Sequence, residues 1–383
     1  MSPAPVSEAI ATRAAVLTGS PGAFEIMDVL LDPPGPGELL VRMVAAGLCR
    51  SDDHFQTGDS IAGRYPFICG HEGAGVVEAV GPGTPGWEVG DHVVFSFIPS
   101  CGRCRWCSRG MTNLCDLGRY LMLGSRFADG GGYRVHLEDG TDVGQICGLG
   151  TFAERTVVSI DSAIKLDPDL PLEEMCLLGC AVGTGWGSAV NAAEVRPGDV
   201  TIVMGAGGIG SFAIQGAAHA GALTLIAVDP VEFKRETALS LGATHAFASI
   251  GEAADFARSR TNGQGADNAI LCVDVLRGEH VAAALSAIRK AGTVVVTSVA
   301  PAHDDGGIPV NPREFSHMQK RLQGSMFGMC NPRADIPMQI EMYREGRLEL
   351  DSLVTRTYPL DQIVEAYADT AAGKNMRAVI RFE

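Results

Sequence analysis

The chain has 383 residues, 46% hydrophobic and 20% charged, a composition that excludes disorder and is long enough for two domains. A formal net charge of −15 without any cluster of Lys and Arg excludes a nucleic-acid partner. Eleven Cys behind an N-terminus, MSPAPVSEAIATRAAVL, that lacks the basic and apolar blocks of an export signal point to metal or packing roles in the cytoplasm rather than to disulfides.

In chain order, short apolar runs come first, at Ala14–Leu17, Glu38–Val44, Gly75–Val80 and His92–Phe97. Turn clusters at Pro33–Gly37 and Gly81–Pro85 separate them, so the first part reads as β-rich. The Gly-rich stretch from Cys115 to Gly150 is weakly patterned and predicts a surface excursion. After about Cys180 strands and helices alternate. Thr201–Met204, Leu223–Val228, Asn268–Val273 and Thr293–Val299 read as buried parallel strands. Ile209–Ala220, Pro230–Leu241, Ala253–Arg260 and Val281–Ala287 read as the helices between them. That alternation predicts a doubly wound α/β sheet. The tail adds helices at Pro337–Gly346 and Leu360–Ala372 and a strand at Ala378–Phe382. Val200 to Val228 carries no charged residue, yet its Gly, Thr, Ser, Gln and His favour strand–turn–helix–strand over a membrane span.

Within that stretch Gly205, Gly207, Gly208, Ile209 and Gly210 belong to a G-x-G-x-x-G loop, set between a strand and an apolar helix. In that setting glycines permit a tight turn and let backbone N–H groups approach a pyrophosphate at the helix N-terminus. Asp229 ends the next strand, where an acid accepts from a ribose 2′-hydroxyl and repels a 2′-phosphate, which favours NAD over NADP. Lys234 stands at a distance suited to the adenosine ribose, or is an exposed helix Lys.

Cys101, Cys104, Cys107 and Cys115 form a C-x-x-C-x-x-C-x7-C run. Four thiolates at this spacing close a tetrahedron around a structural Zn²⁺ with no position left open; an iron–sulfur cluster or free thiols are the other readings. Cys49, His71 and Cys180 are scattered, and each taken singly also reads as a buried Cys or a core His. Together they make a Cys₂His set whose fourth position is left for water or substrate. Metal there acidifies a bound alcohol, as it acidifies water, and so prepares hydride transfer.

The motifs CRSDDH at Cys49–His54, GHEGAGVVEAVG at Gly70–Gly81, the four-Cys run, GCAVGTGWGSA at Gly179–Ala189 and GAGGIG at Gly205–Gly210 occur in the order seen in one family. They resemble the zinc-containing alcohol dehydrogenases of the medium-chain dehydrogenase/reductase superfamily. The resemblance implies a β-rich GroES-like catalytic domain plus a Rossmann domain, split as 1–181, 182–324 and a return at 325–383. It implies two zinc ions per chain, the catalytic one on Cys49, His71 and Cys180, with Glu72 able to swing onto the metal and Asp52 orienting His71. Ser51, the cofactor ribose and a solvent-near His54 form the implied proton relay, a role that suits an imidazole. Arg50 and Arg377 fall on pyrophosphate-contacting positions, and Thr184 near the nicotinamide. The implied assembly is a homo-oligomer, dimer or larger.

Three further stretches, Asp229–Ala248, Cys147–Ser159 and Gly324–Pro337, are similar to actinobacterial nitrosoaniline-dependent nicotinoprotein alcohol dehydrogenases. That subgroup implies an NAD held without release and recycled in place by an external acceptor, with mycofactocin as the physiological partner. Arg50 departs from the His common there. A conventional NAD-exchanging alcohol dehydrogenase, a thiol-adduct formaldehyde dehydrogenase, and a non-catalytic cofactor-binding protein of the same fold are the alternative readings.

Overall fold

The computed structural model describes residues 8–127, 132–302 and 307–383. The chain divides into two units, one built from 1–180, 331–340 and 350–383, the other from 181–330 and 341–349. The expected return at residue 325 therefore comes six residues later, at Asn331, and 341–349 also lie with the second unit. Side-chain packing holds these pieces there. A Cβ on Gly183 would meet the Phe327 ring at 2.7 Å, and Cys330 Sγ donates to the Gly183 carbonyl at 3.3 Å. The Glu349 N–H donates to the Gln215 side-chain oxygen at 2.7 Å.

The second unit contains a six-stranded, all-parallel sheet. Its spatial order is His245–Phe247, Thr224–Val228, Val200–Met204, Ala266–Leu271, Ile288–Val296, Arg321–Gly324. Numbered by sequence this is 3-2-1-4-5-6, the doubly wound Rossmann order. Strands buried on both faces must be apolar throughout, and alternate residues feed two separate cores. Ile202, Ile226, Leu271 and Val294 enter one; Val203, Leu225, Ala227, Ile270 and Val295 enter the other. Helices Gly208–His219, Glu232–Ser240, Ile250–Arg260 and Gly278–Ala287 connect the strands, within a few residues of the predicted spans. Strand Arg321–Gly324 carries no apolar run, is exposed throughout, and is not evident in the sequence.

The first unit carries a closed barrel of Ile10–Leu17, Phe24–Leu31, Val135–His136, Asp142–Gln145 and Phe67–Ile68. The expected surface excursion is only partly that. Val135, Val143 and Ile146 are buried, and the segment closes the barrel through strands too short to pattern. A second sheet runs Ala163–Leu166, His92–Phe95, Glu72–Val80, Glu38–Gly47, Arg377–Arg381, Val354–Tyr358, with Arg155–Ser159 also pairing to Glu38–Gly47. The C-terminal strand thus lies inside the sheet that carries the metal-type residues, between Glu38–Gly47 and Val354–Tyr358. Among the described residues no helix is long and apolar enough to cross a membrane.

Candidate metal centres and cofactor loop

Backbone pairing assembles the buried centre. Strand Glu38–Gly47 runs antiparallel to Glu72–Val80, with Gly47 opposite Glu72. Cys49 lies two residues past the end of the first strand and His71 one before the start of the second, so this register brings them to one edge. A Cβ on Gly47 would press on the Glu72 carboxylate, so a larger residue there would push that group away from Arg377. Strand His92–Phe95 pairs on the other side of Glu72–Val80. Just beyond it the Phe97 N–H donates to the Gly179 carbonyl at 3.2 Å and draws in Cys180. The ligand atoms of Cys49, His71, Glu72 and Cys180 all lie within 4.8 Å of one another, and all four residues are buried. Ligands of a tetrahedral zinc are separated by roughly 3.5 Å, so this donor set fits that metal with small adjustments.

Charge and hydrogen bonding order the centre. Asp52 Oδ2 lies 3.0 Å from His71 Nδ1, and Asp52 Oδ1 accepts the Gly70 N–H at 2.8 Å. With Nδ1 facing a carboxylate, Nε2 is the nitrogen left for a metal. Glu72 pairs with the buried Arg377 guanidinium through Oε2. Burial pushes the Glu72 carboxyl up to about 7 while Arg377 pulls it back. A hydrogen bond from Cys180 holds the Cys49 thiol well below its usual range, and the same contact raises Cys180. A dication bound by the two sulfurs would make both of them thiolates.

Helix Arg50–Thr57 continues from Cys49. Ser51 Oγ lies 3.5 Å from Cys49 Sγ. His54 differs from expectation: it is 3% exposed rather than near solvent, because this turn of the helix is enclosed on most sides, with Asp52, Asp53, His54 and Phe55 all buried. Its Nδ1 faces Asp59 Oδ2 at 3.4 Å, and the half-buried Asp59 was not flagged by any sequence motif. Arg50 pairs with Asp53, and Arg377 with Glu72, in the protein as described. Two neighbours lacked any sequence signal. The Phe97 ring packs edge-on to His71 at 5.6 Å, and Thr151 Oγ1 donates to the Glu72 carbonyl at 3.3 Å.

The four-Cys run forms a second cluster, its sulfurs likewise within 4.8 Å of one another. Cys104 Sγ accepts the N–H groups of Cys107 and Asp116, each at 3.5 Å. Against the burial that raises it, these bonds bring the Cys104 thiol down to about 6, ready to bind metal. Only single helical turns, Cys107–Arg109 and Thr112–Leu114, structure this loop, so a metal supplies what a core does not.

In the second unit Gly205 follows strand Val200–Met204 with φ +92°, and a Cβ there would meet the Cys272 carbonyl at 2.5 Å. A Cβ on Gly210 would meet the Gly205 carbonyl at 1.8 Å, so this glycine lets helix and strand touch. Gly207 is different: among the described residues, its chain neighbours aside, a Cβ would come within 4 Å only of Lys234 Nζ, at 3.8 Å. Gly207 caps helix Gly208–His219 with no side-chain bond, which leaves an open cradle for a diphosphate beside Gly208 and Ile209. Asp229 Oδ2 accepts the Ala206 N–H at 3.0 Å and Oδ1 the Val231 N–H at 2.9 Å. A carboxylate with about four lone-pair sites keeps capacity for a ribose hydroxyl as well. Thr184 is buried on helix Ala181–Gly187 of the same unit.

Residues 35–168 match the alcohol dehydrogenase GroES-like domain and residues 208–345 the zinc-binding dehydrogenase domain. The chain is 48% identical to the NDMA-dependent alcohol dehydrogenase of Amycolatopsis methanolica, over 96% of this chain and 98% of that one. It is 43% identical to alcohol dehydrogenase B of Mycobacterium tuberculosis, over 97% and 98%. Among solved structures, an alcohol dehydrogenase zinc-binding domain protein from Burkholderia ambifaria superposes with a TM-score of 0.89 at 32% identity, covering 98% of this chain and all of that one. Metal-type clusters, glycine loop and relatives agree: the chain belongs to the zinc-containing alcohol dehydrogenases of the medium-chain dehydrogenase/reductase superfamily and is an oxidoreductase.

Proposed function

We propose that this enzyme oxidises a small alcohol to an aldehyde or ketone, and the reverse, at the Cys49–His71–Cys180 centre, with NAD as hydride acceptor. The convergence of those three buried donors on one point carries the reading. Glu72, engaged by Arg377, leaves the fourth position to water or substrate. Zinc bound there supplies Lewis acidity that makes an alcohol hydroxyl acidic at neutral pH. Asp52 fixes the His71 ring. Ser51 and His54 stand three residues apart on one helix face, and Asp59 beyond them, a path for the proton from the buried centre outward. Gly207, Gly208, Ile209, Asp229 and Lys234 hold the dinucleotide, with Thr184 of the same unit as a further contact.

The four-Cys cluster takes a second, structural zinc, giving two per chain. Likeness to the NDMA-dependent relative supports an NAD that stays bound and is reoxidised by an external, mycofactocin-type acceptor. Metal analysis with Cys49→Ala tests the centre. The variant is expected to fold, keep one zinc, and lose alcohol oxidation by at least about a thousandfold. Two zinc with unchanged turnover would overturn the assignment.

A further inference from the structure

The C-terminal return carries a side chain that reaches the buried centre without joining it. Tyr367, on helix Ile363–Ala371, is 3% exposed, and its hydroxyl donates to the Cys49 carbonyl at 3.2 Å. Its ring stacks on Phe24 at 5.6 Å and meets Phe152 edge-on at 6.1 Å; Phe24 and Phe152 touch each other at 5.9 Å. The ring is therefore fixed from two sides, and the hydroxyl has little freedom to choose a partner.

The carbonyl it holds has a special place. Cys49 is the extended N-cap residue of helix Arg50–Thr57, with no side-chain cap, and its carbonyl also accepts the Asp52 N–H at 3.1 Å. One peptide group thus governs both the Cys49 sulfur and the start of the turn carrying Asp52, the partner of His71. The same return fixes the preceding residue, since the Leu48 N–H donates to the Ala378 carbonyl at 2.9 Å. Phe152, against which the Tyr367 ring packs, donates its N–H to the Cys69 carbonyl at 3.2 Å, and Thr151 does so to Gly70 at 2.9 Å. Those bonds fix the loop that presents His71. Tyr367 lies where the supports of two of the three donors meet.

We infer that Tyr367 is a positioning residue for the catalytic metal: its hydroxyl pins the Cys49 peptide so that the sulfur stays aimed at zinc. This rests on the reading of Cys49, His71 and Cys180 as the zinc site. A buried tyrosine needs a partner in any case, so loss of stability alone would not distinguish the two roles. Metal behaviour does. A hydrogen bond that holds a ligand in place raises metal affinity, whereas one that merely satisfies a hydroxyl does not.

The test compares Tyr367→Phe with Tyr358→Phe in the full-length holoenzyme. Tyr358 lies in the same C-terminal return and its hydroxyl donates to Asp369 Oδ2 at 2.8 Å, so it controls for loss of an equivalent hydrogen bond. Zinc release to a colorimetric chelator and the visible spectrum of cobalt(II)-substituted protein are recorded for each. Since 3.2 Å is long for an O–H···O bond, the expected effect is about three- to tenfold faster release of one zinc from Tyr367→Phe. A shifted cobalt–thiolate band accompanies it, the second zinc is unaffected, and Tyr358→Phe behaves as wild type. Two zinc per chain with wild-type release and an unchanged cobalt spectrum in Tyr367→Phe overturns the positioning role alone. A wild type that binds only the four-Cys zinc overturns the metal reading and this inference together.

Discussion

Asp229 does more in the structure than its position in the sequence implies. Its carboxylate ties the Ala206 N–H of the glycine loop and the Val231 N–H of the next helix, so it shapes the cradle before any ribose arrives. Asp229→Gly would therefore disturb the loop and the charge together. Asp229→Asn separates them, because the amide oxygen still accepts one N–H while the negative charge is gone. Expected are a NADP affinity raised by about tenfold and an NAD affinity lowered by less, read by fluorescence titration of cofactor-depleted protein. Equal affinities before and after would show that the acid does not face the ribose. At this scale the glycine loop and the four-Cys run were legible, because each packs its chemistry into a few consecutive residues. The burial of His54, its neighbour Asp59 and the Tyr367 contact were not, because each depends on which face of a helix turns inward or on a partner far away in sequence.

Among elements, the helix Ile363–Ala371 links the metal centre to a charge cluster. Two residues past Tyr367, Asp369 accepts from Lys374 Nζ at 2.6 Å and from Arg356 Nη1 and Tyr358 Oη, each at 2.8 Å. The Lys374 bond first, then Tyr358 and the surrounding cations, hold the Asp369 carboxyl below its ordinary 3.8. A depressed carboxylate favours the folded state above its unfolded value and ceases to do so as pH falls through its folded value. Asp369→Asn should thus melt lower than wild type at pH 7, with the gap constant down to about pH 5 and closing below 3.8. Thermal melts across pH 2.5–8 (roughly, by linkage) check this; a gap that widens toward acid would contradict it. The helix itself was readable as a tail element over Leu360–Ala372. Strands such as Phe24–Leu31 and Val354–Tyr358 were not, since their mixed polar and apolar residues follow no clear period of two.

For the molecule as a whole, strand–helix alternation was enough to foresee the Rossmann unit, because each buried parallel strand is a short, continuous apolar run. The split of the other unit was foreseen only through family likeness, since Val379 pairing with Gly47 leaves no local trace in either segment. The same whole-chain likeness bears on how the cofactor behaves. An NAD that exchanges at each turnover needs a dissociation constant near its free concentration; one that survives purification needs binding tighter by several orders of magnitude, on the order of nanomolar or below. The cradle at Gly207, Lys234 beside it, and an Asp229 already locked by two N–H groups are preorganised, and preorganisation lowers the cost of ordering on binding. Extensively washed protein is therefore expected to show nicotinamide absorbance close to one equivalent per chain. It should turn over alcohol with a nitrosoaniline acceptor and no added NAD, while added NAD alone supports little or no steady turnover. Protein that washes free of nicotinamide and regains full activity with NAD alone would place it among the exchanging alcohol dehydrogenases instead, with the zinc chemistry unchanged.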